Sequence, residues 1–273
     1  MKIAAQTTTK TAPIKTAPKA TTYSPAKDFF SRVKRRILPL QAQRKVSFKL
    51  DKPIVSFSFD DCPQSVIENA IKPLDAQGWR SSVYVATSLC NTTNHLGLHM
   101  SEDDVVALHK SGHEIGDHTF SHYDGSAMPL QDVLADIDKN QAALQALGLP
   151  PSQTFAYPYG QATPALKRTL ETRFIGARGI DSRNHITSAD LNQLGSNRLY
   201  RGAEFDALIG QITDLRARPA WITIFTHDVR EKPSHYGCTP EQMLATIAAV
   251  KKSGATVLTI ADAIKYVESR HGT

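Results

Sequence analysis

Short apolar runs alternate with stretches of helical periodicity over most of the chain. The apolar runs are rich in β-branched and aromatic residues, as buried strands are, and they read P-I-V-S-F-S-F, S-V-Y-V-A, T-F-A-Y, F-I-G-A, W-I-T-I-F and A-T-V-L-T-I. The helical stretches cover residues 64–77, 102–111, 130–147, 164–172, 205–215 and 240–253. This alternation predicts an α/β fold with a parallel sheet covered by helices, and the number of units favours a closed or nearly closed β/α barrel.

Residues 1–50 differ in composition from the rest of the chain. They contain 12 lysines and arginines and one acidic residue, whereas the remainder contains 20 basic and 25 acidic residues. Residues 1–27 are rich in Thr, Lys, Ala and Pro, and they cannot bury enough apolar surface to offset chain entropy. We predict a disordered basic leader over 1–50 and a single domain over 51–273. Because the basic excess lies in the leader, we do not expect the domain to bind nucleic acid.

Within the leader, residues 29–40 form a candidate amphipathic segment. Phe30, Val33 and Ile37 fall at helical spacing with basic residues between them. This pattern is typical of a short helix in peripheral contact with a membrane surface. The alternatives are a basic linker that packs on the domain and, because acidic residues are scarce here, a transit peptide.

The sequence also bears on the cellular location. Three scattered cysteines are too few for a disulfide framework, and the N-terminus carries no apolar secretory signal. No run approaches the roughly 18 apolar residues of a membrane-spanning helix. We therefore expect a cytoplasmic protein, at most peripheral at the inner membrane face.

The first predicted strand ends in two adjacent carboxylates, Asp60 and Asp61. Carboxylates at the end of a buried strand cost free energy unless they are paired or bind a metal ion. The alternative is a pair of helix N-cap residues, since Pro63 and Gln64 follow.

Two histidines, His118 and His122, flank the sequence T-F-S. Imidazoles at this spacing lie on one face of a helical turn, which suits the binding of a single metal ion. The segment is not the metalloprotease motif H-E-x-x-H, because Thr119 stands where that motif has Glu. Together with a strand-end Asp, the two histidines predict a His2Asp site with open positions, as expected of a hydrolytic metal.

A further histidine, His227, follows the strand W-I-T-I-F in the sequence F-T-H-D. A lone histidine after a strand is more often structural. A closed barrel, however, would bring this late position back beside the first strand, where a positioned histidine could act as a general acid.

Four segments in order resemble the motifs of the polysaccharide deacetylases, which are carbohydrate esterase family four and carry the NodB-homology domain. The segments are S-F-D-D, G-H-E-I-G-D-H-T-F-S-H, F-A-Y-P-Y-G and F-T-H, and the resemblance spans residues 52–268. It implies a distorted (β/α)7-type barrel. It also implies a metal-dependent hydrolase that removes N-acetyl groups from an N-acetylhexosamine-containing polysaccharide or oligosaccharide, in exopolysaccharide synthesis or modification.

The resemblance also implies roles for particular residues. The metal, usually zinc, would polarise the acetamide carbonyl and acidify a water molecule. It would be one divalent ion held by Asp61, His118 and His122. The general base would be Asp60, the backbone N–H of Tyr159 would stabilise the oxyanion, and His227 would protonate the leaving amine.

The sequence departs from the family pattern around these residues. The family's third motif usually opens with Arg, and Ala156 stands there. We predict that Arg178, at the end of the next strand, braces Asp60 in its place; the alternative is a surface arginine. The family's fourth motif, which orients the catalytic histidine, is not recognisable, and Asp181 and Arg198 are the candidates for its role.

These departures keep two other functions open. One is a carbohydrate-binding protein that has lost catalysis, and the other is a small-molecule amide hydrolase on the same fold. An open groove would favour a polymeric substrate, and a closed pocket would favour a small ligand.

The cysteines add a separate prediction. Cys62 directly follows Asp61, and Cys238 lies in the loop after the strand that carries His227. Loops at neighbouring strand ends of a barrel lie close together, so we predict that Cys62 and Cys238 are near each other while Cys90 stands apart. The alternative is that both are buried apolar residues.

Overall fold

A curled parallel sheet forms the centre of the computed structural model, which describes residues 15–16 and 37–270. The strands are β1 (Lys15–Thr16), β2 (Lys45–Ser47), β3 (Ile54–Asp60), β4 (Ser82–Val85), β5 (Thr92–Asn94), β6 (Gly97–Leu98), β7 (Glu114–Asp117), β8 (Thr154–Ala156), β9 (Gly176–Arg178), β10 (Ser188–Asp190), β11 (Asn197–Arg198), β12 (Trp221–Thr226) and β13 (Thr256–Val257). The α-helices are α1 (Lys72–Asp75), α2 (Glu102–Lys110), α3 (Leu130–Ala146), α4 (Pro164–Leu170), α5 (Ala203–Asp214), α6 (Pro240–Ser253) and α7 (Ile260–Glu268).

The main sheet has the strand order β11–β12–β3–β4–β7–β8–β9, with β13 also paired to β3. All of these pairings are parallel. Beyond β9, a parallel bridge between Arg178 and Leu194 brings the chain round towards β11. The sheet is thus a curled half-barrel covered by helices. The prediction of a distorted (β/α)7-type barrel is confirmed.

The sequence of β3 shows how the sheet separates its two faces. Val55, Phe57 and Phe59 pack in the large apolar cluster between the sheet and its helices. The alternate positions, Ser56 and Ser58, point to the other face and bond within the barrel: the Trp221 indole donates to Ser56 Oγ at 3.0 Å, and Ser58 Oγ donates to the Ile224 carbonyl at 2.9 Å. Every residue of β3 is buried, as expected of a central parallel strand.

The helices lie close to the predicted stretches, with two differences. The first stretch begins as a π-helical turn, Ile67–Ile71, before it continues as α1. The last helix, α7, was not predicted, although its buried residues recur at helical spacing. No helix within residues 37–270 is both long and apolar enough to cross a membrane.

Residues 38–50 belong to the folded domain. Leu38 is buried against the cluster formed around β8 and α4, and β2 pairs antiparallel with β10. The prediction that the leader extends to residue 50 is therefore wrong, because these residues have partners on the barrel. For residues 1–14 and 17–36, which hold most of the candidate amphipathic segment, the leader stays a prediction outside the described residues.

Candidate active site

The predicted site residues follow the carboxyl ends of neighbouring strands. Asp60 ends β3 and Asp61 follows it, while His118, Arg178 and His227 stand at the ends of β7, β9 and β12. Because parallel strands present their carboxyl ends at one edge, these side chains share one face of the barrel.

Asp61, His118 and His122 form a compact cluster. One ligand atom from each residue lies within 4.8 Å of the others. His118 Nε2 is 3.3 Å and His122 Nε2 is 3.1 Å from the same oxygen, Asp61 Oδ1. The predicted donor set is thus assembled around a single point.

The chemistry of this cluster fits a divalent cation. Asp61 Oδ1 is buried and, among the described residues, has no hydrogen-bond partner of acceptable geometry despite the two nearby nitrogens. Burial acts to raise the pKa of Asp61, but the neighbouring His122 and His118 hold this pKa well below its usual range. Burial acts to lower the pKa of His122, but the negative charge of Asp61 outweighs the effect of burial and raises this pKa. A carboxylate and two imidazoles in this arrangement are the ligands that zinc and similar ions take.

The histidine segment is a loop, so the predicted helical turn is wrong. His118 follows β7 directly, and Thr119 and His122 have left-handed backbone conformations, with φ of 59° and 55°. This sharp path brings the two imidazole rings to 4.9 Å between centroids without a helix. The strand E-I-G-D that precedes His118 was also missed, because it is short and only half apolar.

Backbone groups orient His118. Its Nδ1 lies 2.8 Å from the Ala156 carbonyl oxygen, to which it donates, so that Nε2 is left to face Asp61. Asp61 and Cys62 are themselves in the left-handed region, with φ of 62° and 50°. Strained conformations of this kind persist where the surrounding structure enforces them, and they concentrate at functional sites.

Arg178 lies where the sequence predicted it. Its Nη2 donates to Asp60 Oδ1, and its Nη1 donates to the Gly179 carbonyl at 3.0 Å. The guanidinium carbon lies 5.1 Å from the Tyr84 ring centroid and 4.8 Å from that of Phe225. The arginine is fully buried, so the alternative of a surface arginine is wrong.

His227 is oriented by a backbone carbonyl. Its Nδ1 lies 3.2 Å from the Tyr236 oxygen, which also accepts the His227 backbone N–H at 3.1 Å. Neither Asp181 nor Arg198 takes this role: Asp181 accepts from Gln193 at 3.5 Å, and Arg198 pairs with Glu204. Burial lowers the pKa of His227, although the charges of Asp61 and Asp60 oppose the shift.

Tyr159 lies beside the cluster. Its ring meets the His122 ring edge-on at 4.5 Å between centroids, and its backbone is left-handed, with φ of 58°. Burial raises the pKa of the Tyr159 phenol to about 12, so the ring is neutral near pH 7.

The thiol prediction is wrong for Cys90, whereas the closeness of Cys62 and Cys238 stays a prediction. All three cysteines are buried, and none of them forms a disulfide. The Cys62 thiol forms a hydrogen bond with Cys90, which was expected to stand apart. The loop after β4 folds back on Cys62, with the Met100 N–H on the Cys62 carbonyl at 2.9 Å. The hydrogen bond to Cys90 and burial raise the pKa of Cys62, and burial raises that of Cys238 to about 12.

Two residues near His227 were missed by sequence reasoning. They are Asp228 and Tyr236. The signal for Asp228 was its place directly after a strand-end histidine. Tyr236 acts on His227 through its carbonyl, which any residue could supply, so no sequence signal identified it.

The curled parallel sheet carries the cluster at its carboxyl edge, where β/α barrels place their functional residues. Residues 48–174 match the model of the family described as polysaccharide deacetylase. This match agrees with the resemblance of the sequence motifs to the same family.

Solved structures share the fold of this chain. The chitin deacetylase from Colletotrichum lindemuthianum aligns with a TM-score of 0.57 and 14% identity, covering 79% of this chain and 89% of that one. A family 4 acetyl xylan esterase from Clostridium thermocellum, solved with a cobalt ion, gives 0.56 and 19%, covering 78% and 91%. Peptidoglycan deacetylase PdaC from Bacillus subtilis gives 0.54 and 14%, covering 80% and 93%. A search of curated protein sequences found no match.

Proposed function

We propose that this protein is a metal-dependent deacetylase that hydrolyses N-acetyl groups on an N-acetylhexosamine-containing polysaccharide or oligosaccharide. The observation that carries the proposal is the convergence of His118 Nε2 and His122 Nε2 on Asp61 Oδ1, beside the ion pair of Asp60 with Arg178. A donor set for one cation and a separate carboxylate base are what metal-assisted hydrolysis of an amide requires.

Asp61, His118 and His122 would hold one divalent ion, for which we propose zinc. When bound, the ion would polarise the acetamide carbonyl and acidify a water molecule. Two imidazoles and one carboxylate are a donor set that zinc takes. The cobalt ion in the structure of the acetyl xylan esterase supports a divalent metal in a protein of the same fold.

Asp60 would remove the proton of the attacking water. Arg178 donates to Asp60 Oδ1. The buried guanidinium fixes the carboxylate and balances its charge, so that Oδ2 is held ready to accept a proton. This pair argues against the loss of catalysis that Ala156 had suggested.

His227 would give a proton to the departing sugar amine. The Tyr236 carbonyl accepts from Nδ1, which leaves Nε2 as the nitrogen that exchanges a proton with the substrate. The Tyr159 backbone N–H would donate to the oxyanion as the carbonyl carbon becomes tetrahedral.

Acetate release from chitin oligomers tests the proposal. We expect release by the protein loaded with Zn²⁺, loss of release after chelation, and recovery when Zn²⁺ is added back. His118→Ala should abolish both the activity and the rise in melting temperature that Zn²⁺ produces in the parent protein. Asp60→Asn should abolish the activity but keep that rise, because Asp60 is outside the donor set.

Other outcomes separate the remaining functions. Release from acetylated xylan but not from chitin oligomers would make the protein an esterase. Binding of oligomers without release would favour the carbohydrate-binding protein. Activity on small amides alone would favour the small-molecule hydrolase.

A further inference from the structure

Tyr236 is the one exposed side chain among the Phe, Tyr and Trp residues of 37–270. It is 42% exposed, whereas the other large aromatic rings of this part of the chain are at least partly covered. A fixed, exposed aromatic ring on a protein surface often marks a binding site, because the ring would otherwise be buried.

The exposed ring lies at the mouth of the candidate site. Its centroid is 5.6 Å from that of His227, 6.0 Å from Tyr200 and 6.3 Å from His95, the last in an edge-on contact. Tyr236 is therefore adjacent to the residue that we propose as the acid, and it borders the space where a leaving sugar would lie.

The loop that carries Tyr236, residues 227–238, is internally braced. The fully buried Asp228 carboxylate accepts from Arg230 Nε at 2.7 Å, from the Ser234 N–H at 2.8 Å and from Ser234 Oγ at 2.5 Å. A Cβ added at Gly237 would overlap Asp228, so the chain beside Tyr236 is closely packed.

A second loop supports the same ring. Arg230 Nη2 donates to the His95 carbonyl at 2.9 Å, and His95 in turn contacts the Tyr236 ring edge. The position of Tyr236 is therefore set by two loops, and its exposure is a property of the fold.

The chemistry of the ring indicates what it would bind. The C–H-rich face of a pyranose packs on an aromatic face, where burial of apolar area and dispersion stabilise the contact. The phenol can also exchange a hydrogen bond with a sugar hydroxyl. A sugar adjoining the reacting residue in a polymer would be the group that reaches a ring just outside the catalytic centre.

We propose that Tyr236 is a sugar-binding platform for the residue next to the one that is deacetylated, and that it makes the enzyme prefer oligomers over a single N-acetylhexosamine. The proposal rests on the proposed function, since it names the substrate class of the same site.

Binding and kinetics on substrates of different length test the platform. The ratio of the Kd for N-acetylglucosamine to the Kd for its tetramer should fall on the order of tenfold in Tyr236→Ala, and the corresponding ratio of kcat/KM should fall similarly. Tyr236→Phe should keep most of the preference, because the ring face remains. Leu244→Ala, at an exposed apolar side chain on α6, is the matched control and should leave both ratios unchanged.

The result separates the platform from the chemistry. Equal effects of Tyr236→Ala on monomer and tetramer, or no effect on either, would overturn the platform even if acetate is released. A Tyr236-dependent preference in binding without acetate release would support the platform and reject the hydrolysis. Absence of tetramer binding by the parent protein would reject the platform outright. Melting temperatures of all variants show whether any substitution unfolds the protein.

Discussion

Arg178 is a buried cation held by one carboxylate and two aromatic faces. Tyr84, one of those faces, also covers Gly116, where a Cβ would overlap its ring. The position of the guanidinium on Asp60 thus depends on how Tyr84 packs in the barrel interior. A charge fixed in this way costs desolvation free energy, which its partners offset only while the pair is intact.

We predict that Arg178→Met lowers kcat by on the order of 10²-fold, because Asp60 loses the group that orients it. Zinc stoichiometry should stay at that of the parent protein, since no donor of the metal cluster contacts Arg178. Steady-state kinetics and metal analysis of the purified variant check this, with Arg178→Lys as the conservative comparison. Loss of metal together with activity would show that Arg178 supports the whole site and not Asp60.

His185 gives a prediction about stability and pH. Its ring is buried against Trp221, and its Nε2 bonds to the Gly195 carbonyl at 3.3 Å. Burial lowers the pKa of His185 to about 4, from an ordinary value near 6.5. Because the unfolded chain then binds the proton more tightly than the native protein, this residue makes stability fall as the pH drops from about 6.5 to 4.

The comparison of the parent protein with His185→Gln isolates this effect, since other titrating groups are common to both. The free energy of unfolding of the parent protein minus that of the variant should be about 3 kcal/mol smaller at pH 4 than at pH 7.5. Denaturant titrations at several pH values supply the numbers. A difference that stays constant with pH would mean that His185 does not carry this shift.

At the scale of elements, the segment 38–50 matters because it covers a buried lysine. Lys167 Nζ donates to the Gln41 carbonyl at 2.7 Å and to that of Leu38 at 3.4 Å, and it pairs with Asp190 Oδ2 at 3.3 Å. Two of the three partners of this fully buried cation therefore come from a segment that the sequence composition assigned to a disordered leader.

Two truncations test the segment. A chain that begins at residue 37 should keep the stability of the domain, since of the described pairings it loses only that of β1. A chain that begins at residue 51 should lose roughly 2–5 kcal/mol, because Lys167 loses two of its three partners and β10 loses β2. Equal unfolding free energies of the two truncated chains would contradict the prediction.

At the scale of the whole molecule, the sequence predicted the parts of the site that depend on strand ends. Asp60, Asp61 and His227 stand at the ends of strands whose apolar runs are easily recognised in the sequence. A barrel brings these strand ends together independently of the loop conformations. The contact of Arg178 with Asp60 could be predicted for the same reason. The Cys62–Cys90 contact and the Tyr236 carbonyl could not, because they depend on loop paths and on backbone groups that any residue carries.

The composition of segment 38–50 led to the wrong prediction of disorder for a physical reason. Its basic side chains resemble a solvated tail, yet Arg44 donates to the carbonyls of Ile175 and Phe174, and the Arg44 N–H bonds to Asp190. Those acceptors come from distant parts of the chain, so the charge of the segment alone does not predict the contacts.

The central place of β3 in the sheet also sets an order of assembly during synthesis. One edge of β3 pairs with β4, which follows it closely, while the other pairs with β12; the bond from Ser58 to Ile224 spans 166 residues. Until β12 leaves the ribosome, that edge of β3 lacks its ladder partner and is open to other chains. Asp61, His118 and His122 emerge well before His227, so a nascent chain carries the three proposed metal ligands before the proposed acid has been synthesised.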